Sequence, residues 1–329
     1  MDGNRRYAER QHFDKATGHT HGYGKMVEVI HWCIELGVKH ITVYAFSIDN
    51  FKRSSDEVTA LMRLAEEKYA ELAADNGLAE REGIRMHIVG DLELPPPAVQ
   101  GAAARLMRGT AALRSTRATL NVCFSYTSSE ESVHAAAALQ AAVRSGSLQP
   151  GDVCPAALHG ALRTGPASPP VDLLIRTSGE TRLSDFLLWQ ASHAQLCYLP
   201  TLWPNLSYLD FARCVLSYQR HAGALAALRR AAGERLERRK LRSWAAPWIG
   251  GSGEGPGRPG VLQVLLIRCA AALGAGGRLG AGKGCVAGSG GVAGGLEGAG
   301  PVGSQLRLLR FFQQLDAERQ AWIAAHADL

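Results

Sequence analysis

The chain has 329 residues, of which 46% are hydrophobic and 20% charged, enough apolar material for one large core or two ordinary ones, so a wholly disordered chain is excluded. No run of 18 apolar residues occurs; the longest candidate, Val261 to Leu273, is short and contains Arg268, so a spanning helix is not expected. Net charge is +6, and Arg220 to Arg242 alone carries eight Lys/Arg against Glu234 and Glu237, so the basic character belongs to one segment.

In chain order, Gly22 to Leu36 places Met26, Ile30, Cys33 and Ile34 at helical spacing, with Gly37 as a stop. Val38 to Phe46 (VKHITVYAF) is β-branched and aromatic, as a buried strand requires. Ser54 with Glu57 three residues on reads as a capping box for a helix to about Glu82, with Val58, Leu61, Met62, Ala65, Tyr69 and Leu72 as its apolar face. Ile84 to Val89 is the next strand, and Pro95 to Pro97 opens another helix. Leu120 to Tyr126 is a strand and Glu130 to Arg144 an alanine-rich helix; Val171 to Ile175 and Gln195 to Leu199 are further strands. The alternation predicts an α/β fold: a mainly parallel central sheet flanked by helices, with ligands at the carboxyl ends of strands.

The remainder differs in composition. The basic run 220–242 has no interleaved aromatics, which argues against nucleic acid; it reads as a solvated helix face or as a surface drawn to anionic lipid. Twenty of the 37 glycines lie between Gly250 and Gly303, so that segment is expected to be disordered. Within it, Gly277 to Lys283 imitates a phosphate-binding loop, but Gly284 stands where a Ser or Thr is needed and no strand precedes it. The expected organisation is an α/β domain over 1–219, a basic helix over 220–249, a glycine-rich insert over 250–303 and a terminal helix over 304–329. Seven scattered cysteines, odd in number and never in a CxxC pair, fit a reducing compartment rather than a disulfide framework or a zinc site. The opening MDGNRRYAER is neither a signal peptide nor a transit peptide.

Three polar clusters stand out: Asp2-Gly3-Asn4-Arg5-Arg6, then Ser47 to Arg53 directly after one strand, and Arg176 to Ser184 directly after another. A carboxylate can hold magnesium, a glycine lets backbone approach an oxyanion, and arginines pair bidentately with phosphate. No Ser-His-Asp order and no HExxH occurs, so the set points to phosphorylated substrates.

MDGNRRYA, the Gly18-His19 pair, VYAFSIDNFKR, VGDLELPP, LNVCFSYTS, DLLIRTSGETRLSDFLLWQ and LWPN occur in the order found in the cis-prenyltransferases, and the chain resembles the eukaryotic catalytic subunits of that family over residues 1 to 219. The segments 220–242 and 306–329 resemble their two terminal helices. The resemblance implies an enzyme that extends farnesyl diphosphate with isopentenyl diphosphate units and forms Z double bonds. It implies that Asp2 binds Mg2+ and that Gly3, Asn4, Arg5, Arg6 and His19, with Lys15 in place of a more usual Arg, cradle the allylic diphosphate. Ser47 and Asn50 would sit near the reacting carbons. Arg176, Arg182 and Ser184 would hold isopentenyl diphosphate, with Arg53 close by.

Asp49 stands in place of a more usual Glu, and Gln195 where homodimeric members carry a metal-contacting Glu. The family's C-terminal RxG motif is missing from AWIAAHADL; Arg258-Pro259-Gly260 and Arg278-Leu279-Gly280 match its letters only within the glycine-rich segment. The implied partner is an accessory subunit of the Nogo-B receptor type that supplies RxG and a membrane anchor. The implied location is the cytosolic face of the endoplasmic reticulum membrane, with a plastid as the alternative. Members enter MDGN through an apolar strand, and here Met1 is the first residue, so the expectation is a chain that lacks the first strand of its sheet. The competing readings are a non-catalytic lipid-binding or adaptor subunit of the same fold, and an inactive fragment.

Overall fold

A computed structural model describes residues 1–74, 77–165, 168–249 and 301–329, without the side chains of 236–249 and 301–302. In chain order its elements are α1 (Asn4–Arg10), α2 (Lys15–Glu35), β1 (His40–Ser47), α3 (Ser55–Ala73), α4 (Leu78–Glu82), β2 (Ile84–Val89), α5 (Pro97–Ala111) and β3 (Ala118–Tyr126). There follow α6 (Ser128–Arg144), α7 (Pro155–Ala161), β4 (Leu173–Arg176), β5 (Gln195–Tyr198), α8 (Tyr208–Ile249) and α9 (Pro301–His326).

The fold is α/β with parallel strands. β3 is central, paired in parallel with β1 on one side and β2 on the other, so that Val122 faces both Val43 and Ile88. A parallel strand covered on both faces needs a nearly continuous apolar run, and every β3 residue but Thr119 is buried. β4 and β5 form a second, two-stranded parallel sheet. Tyr44 of β1 stacks on Phe186 of the loop between β4 and β5, ring centroids 4.6 Å apart, and donates its hydroxyl to the Tyr126 carbonyl of the neighbouring strand.

The main core lies on one face of the three-stranded sheet. Met26, Ile30 and Cys33 of α2 meet Met62, Ala65, Tyr69 and Leu72 of α3, β1, and Leu106 and Met107 of α5. The helix expected from Ser54 to Glu82 is two helices, with Gly77 opening the second. The expected capping box is also absent: Ser54 makes no side-chain cap, and the Glu57 carboxylate, which would complete the box, turns toward Arg53 instead.

The described residues fall into two compact units, Met1–Leu225 with Leu308–Leu329, and Ala226–Arg307. No break occurs at 219/220, where α8 runs through, and the terminal helix starts at Pro301. The glycine-rich residues 250–300, with the phosphate-loop look-alike, lie outside the described residues. In the first unit, the terminal helix packs onto α6 and α7. Phe311 is buried in a cluster with Ala135, Leu139 and Ala157, and the Phe312 ring lies where a Cβ on Gly160 would come within 2.3 Å. Arg319 donates to the Arg163 carbonyl at 2.8 Å and Trp322 to the Glu93 carboxylate at 2.6 Å. Among the described residues, no helix is long and apolar enough to cross a membrane.

Candidate active site

The loop after β4 and the turn at Trp203 pin the chain at Asp2 and Gly3. The Asp2 carbonyl accepts hydrogen bonds from Thr177 Oγ1 at 3.2 Å, Ser178 Oγ at 2.5 Å and the Trp203 backbone N–H at 3.1 Å. Gly3 has φ +104°, open to glycine and strained for other residues, and a Cβ there would lie 2.3 Å from Ser178 Oγ. From this anchor α1 leans on α2 across Gly18 and Gly22, spaced one turn apart. A Cβ on Gly18 would meet the Asn4 carbonyl at 2.6 Å, and one on Gly22 would meet Asn4 Oδ1 at 2.5 Å.

The anchoring sets Asp2 among arginines. Arg176, at the end of β4 and mostly buried, donates to Asp2 Oδ2 at 3.1 Å and to Ser184 Oγ at 2.8 Å, and also reaches the Arg182 carbonyl. Arg6 lies 3.9 Å from Asp2 and 3.4 Å from Glu180, and Glu180 also holds Arg182. Burial is the largest single influence on Asp2 and opposes its ionisation, but the Arg176 hydrogen bond, the Met1 ammonium and the charges of Arg176 and Arg6 together outweigh it and hold the carboxyl below its ordinary value. Half-exposed ion pairs of this kind add about 0–1 kcal/mol to stability. Their effect here is to fix positions.

The loop that carries Arg182 and Ser184 is strained. Ser178, Ser184, Asp185 and Leu187 all have positive φ without being glycine. Each such residue costs about 1–3 kcal/mol and persists only where its surroundings hold it. Here the Asp185 carbonyl and carboxylate accept from the backbone N–H groups of Ser128 and Ser129, the Leu188 N–H donates to Ser128 Oγ, and Ser178 N–H reaches the Thr201 carbonyl.

A second cationic group gathers around Glu57, whose side chain is only 9% exposed. Arg53 donates to it at 2.9 Å, while Arg5 and Lys15 approach it at 3.9 and 4.0 Å. Burial, the Arg53 charge and the Arg5 charge push the His19 imidazole down from its ordinary value, with Glu57 opposing. His19 Nδ1 lies 3.4 Å from the Asn4 amide nitrogen, and His19 Nε2 is buried with no partner. If the Asn4 N–H2 donates to Nδ1, Nε2 carries the proton: a buried, unpaired donor among cations, which suits a phosphate oxygen. Arg5 and Arg6, consecutive in α1, reach the second and the first group respectively, so the two groups adjoin one another.

Of the residues expected from the sequence, Asp2, Arg6, Arg176, Arg182 and Ser184 converge in the first group, pinned through Gly3. Asn4, Arg5, Lys15, His19 and Arg53 converge in the second. Ser47 and Asn50 pair with each other at the end of β1: the Ser47 N–H donates to Asn50 Oδ1 at 3.1 Å, and Ser47 Oγ accepts from the Asp49 N–H. Glu57, Glu180 and Ser178 were missed. The four-residue interval from Arg53 to Glu57 was the available signal for the first of them. Gln195 lies at the start of β5 and donates to the Leu196 carbonyl.

Among the described residues, no three His, Cys, Asp or Glu side chains cluster as a metal cage. Asp2 alone fits the way magnesium is usually held, by one or two carboxylates together with substrate phosphates and water.

The family model for undecaprenyl diphosphate synthase matches residues 1–224. The chain is 42% identical over 241 residues to the mouse dehydrodolichyl diphosphate synthase complex subunit, covering 73% of this chain and 72% of that one. It is 37% identical over 220 residues to a dehydrodolichyl diphosphate synthase complex subunit of Schizosaccharomyces pombe, covering 67% of this chain and 82% of the relative. Lavandulyl diphosphate synthase from Lavandula x intermedia, solved with dimethylallyl diphosphate, superposes with a TM-score of 0.60 at 30% identity, over 66% of this chain and 92% of that one. With its parallel α/β frame, this chain belongs to the undecaprenyl diphosphate synthase family of prenyltransferases.

Proposed function

We propose that this chain is the catalytic subunit of a heteromeric cis-prenyltransferase. It condenses isopentenyl diphosphate onto an allylic diphosphate, farnesyl diphosphate, and makes long-chain polycis-polyprenyl (dehydrodolichyl) diphosphate for dolichol synthesis and protein glycosylation. The observation that carries the reading is the convergence of Asp2, Arg6, Arg176 and Ser184 beside the Arg5–Lys15–His19–Arg53 group, which offers cations for two diphosphates.

In the reaction, the allylic C1–O bond breaks and pyrophosphate departs. C1 bonds to the terminal alkene carbon of isopentenyl diphosphate, and the methylene on the far side of the methyl-bearing carbon loses a proton to the departed pyrophosphate as the Z double bond forms. Gly3, Asn4, Arg5, Arg6, Lys15 and His19 hold the allylic diphosphate, and Nε2–H of His19 donates to it. Arg176, Arg182 and Ser184 hold the diphosphate of isopentenyl diphosphate, while Arg53, paired with Glu57 beside Arg5 and Lys15, lies on the allylic side, so that two anchored substrates meet in a fixed orientation. Ser47 and Asn50 stand near the reacting carbons on the rigid turn after β1. Asp2, together with the allylic diphosphate, would hold Mg2+, which would supply charge neutralisation for the leaving group.

The accessory partner is the RxG-bearing subunit of the Nogo-B receptor type. The support for a partner is that the mouse and fission-yeast relatives are named as complex subunits. The complex works at the cytosolic face of the endoplasmic reticulum membrane, drawn there in part by the basic run 220–242. Asp2→Ala tests the reading: turnover in the complex falls at least about a hundredfold, the scale of losing one electrostatic contact to the leaving group. Unchanged turnover would contradict it.

A further inference from the structure

Glu57 has no reaction of its own to perform, yet its carboxylate is the common contact of three cations from different parts of the chain. Arg5 comes from α1, Lys15 from the first turn of α2 and Arg53 from the turn before α3. A carboxylate this enclosed, at 9% exposure, is kept only when it is paired. The cations repel one another without it: burial and then the Arg5 charge depress Arg53, against the opposing pull of Glu57. The Arg5 and Lys15 side chains are half or more exposed, and among the described residues Glu57 is the carboxylate that both approach.

We propose that Glu57 is the positioning residue of the allylic diphosphate cradle: an internal counter-charge that gathers Arg5, Lys15 and Arg53 before substrate arrives and competes with the diphosphate for them once it is bound. The inference rests on the prenyl-transfer reading of that site. Two consequences follow with opposite signs. Removing the charge deepens the positive potential, so a free anion binds more tightly. Removing the anchor lets the cations swing, so the bound allylic diphosphate is held less accurately and turnover falls.

The test compares Glu57→Gln and Glu57→Asp with the unaltered chain in the partnered complex, by calorimetric binding of inorganic pyrophosphate and by steady-state kinetics. Glu57→Gln should bind pyrophosphate about three- to tenfold more tightly while kcat falls about tenfold or more. Glu57→Asp, which keeps the charge on a shorter stem, should keep pyrophosphate affinity within about twofold of the unaltered chain. A side chain needed only for folding would weaken binding and turnover together with thermal stability. Weaker pyrophosphate binding in Glu57→Gln, or an unchanged kcat, overturns the proposal. If the unaltered complex turns over no allylic diphosphate yet the pyrophosphate results hold, the prenyl-transfer reading fails and the counter-charge assignment stands.

Discussion

Gly3→Ala strikes the site at the point where sequence, backbone and chemistry meet. At φ +104° an alanine is strained by about 1–3 kcal/mol. Its Cβ would also sit 2.3 Å from Ser178 Oγ and 2.9 Å from Leu202 Cδ2. Relief requires Ser178 to swing away and give up its hydrogen bond to the Asp2 carbonyl, a further loss of about 1 kcal/mol. The sum, about 2–4 kcal/mol, corresponds to a drop in Tm of about 5–15 °C for a unit of this size. Thermal unfolding followed by circular dichroism measures it, with Gly24→Ala as the control. Nothing lies within 4 Å of a Cβ on Gly24, which is inside α2, so that change should be neutral or stabilising by up to about 1 kcal/mol. Adding Ser178→Ala to Gly3→Ala should recover part of the loss but not the share from φ. A Gly3→Ala protein that melts within about 1 °C of the unaltered chain would refute the reasoning.

Two further predictions concern the cradle and the terminal helix. His19 has a depressed affinity for protons in the folded chain, from burial first and then from Arg53 and Arg5, so the unfolded state takes up its proton first. Its contribution is therefore neutral above the ordinary histidine value and destabilising as the pH falls below it. A bound diphosphate reverses the shift, so pyrophosphate binding near pH 6 should take up protons. Calorimetry in two buffers of different ionisation enthalpy detects this, and a proton count equal to that of His19→Asn would contradict it. Phe311, buried at 4% exposure against α6 and α7, should cost about 3–5 kcal/mol when changed to alanine. Urea unfolding checks this, and a loss under about 1 kcal/mol would mean that the terminal helix does not contribute to the catalytic unit's core.

Much of the frame could be read in advance because strong periodicity leaves little choice. Ile84–Val89 is a strand over the residues expected, and Pro97 starts α5 as a proline at the first helical position should. Short elements escaped: α1 and α7 have seven residues each, too few to display a helical period. The pairing of Glu57 with three cations was hidden by an ambiguity, since Ser-x-x-Glu is also a capping box, and only the fold brings Arg5 and Lys15 to it. The strain at Ser178, Ser184, Asp185 and Leu187 left no sequence signal, because the hydrogen bonds that hold it come from α6 and from the segment after β5. The spacing of Gly18 and Gly22 was visible but unread. Its meaning depends on what packs there, and that is Asn4.

The central claim is prenyl transfer by this chain within a heteromer. Incorporation of labelled isopentenyl diphosphate into butanol-extractable product, with farnesyl diphosphate and magnesium, tests it most directly when run on this chain alone and with an RxG-bearing partner. Long-chain product is expected with the partner, and its loss in Asp2→Ala. No product in the partnered complex, from protein that is folded and binds pyrophosphate, would contradict it.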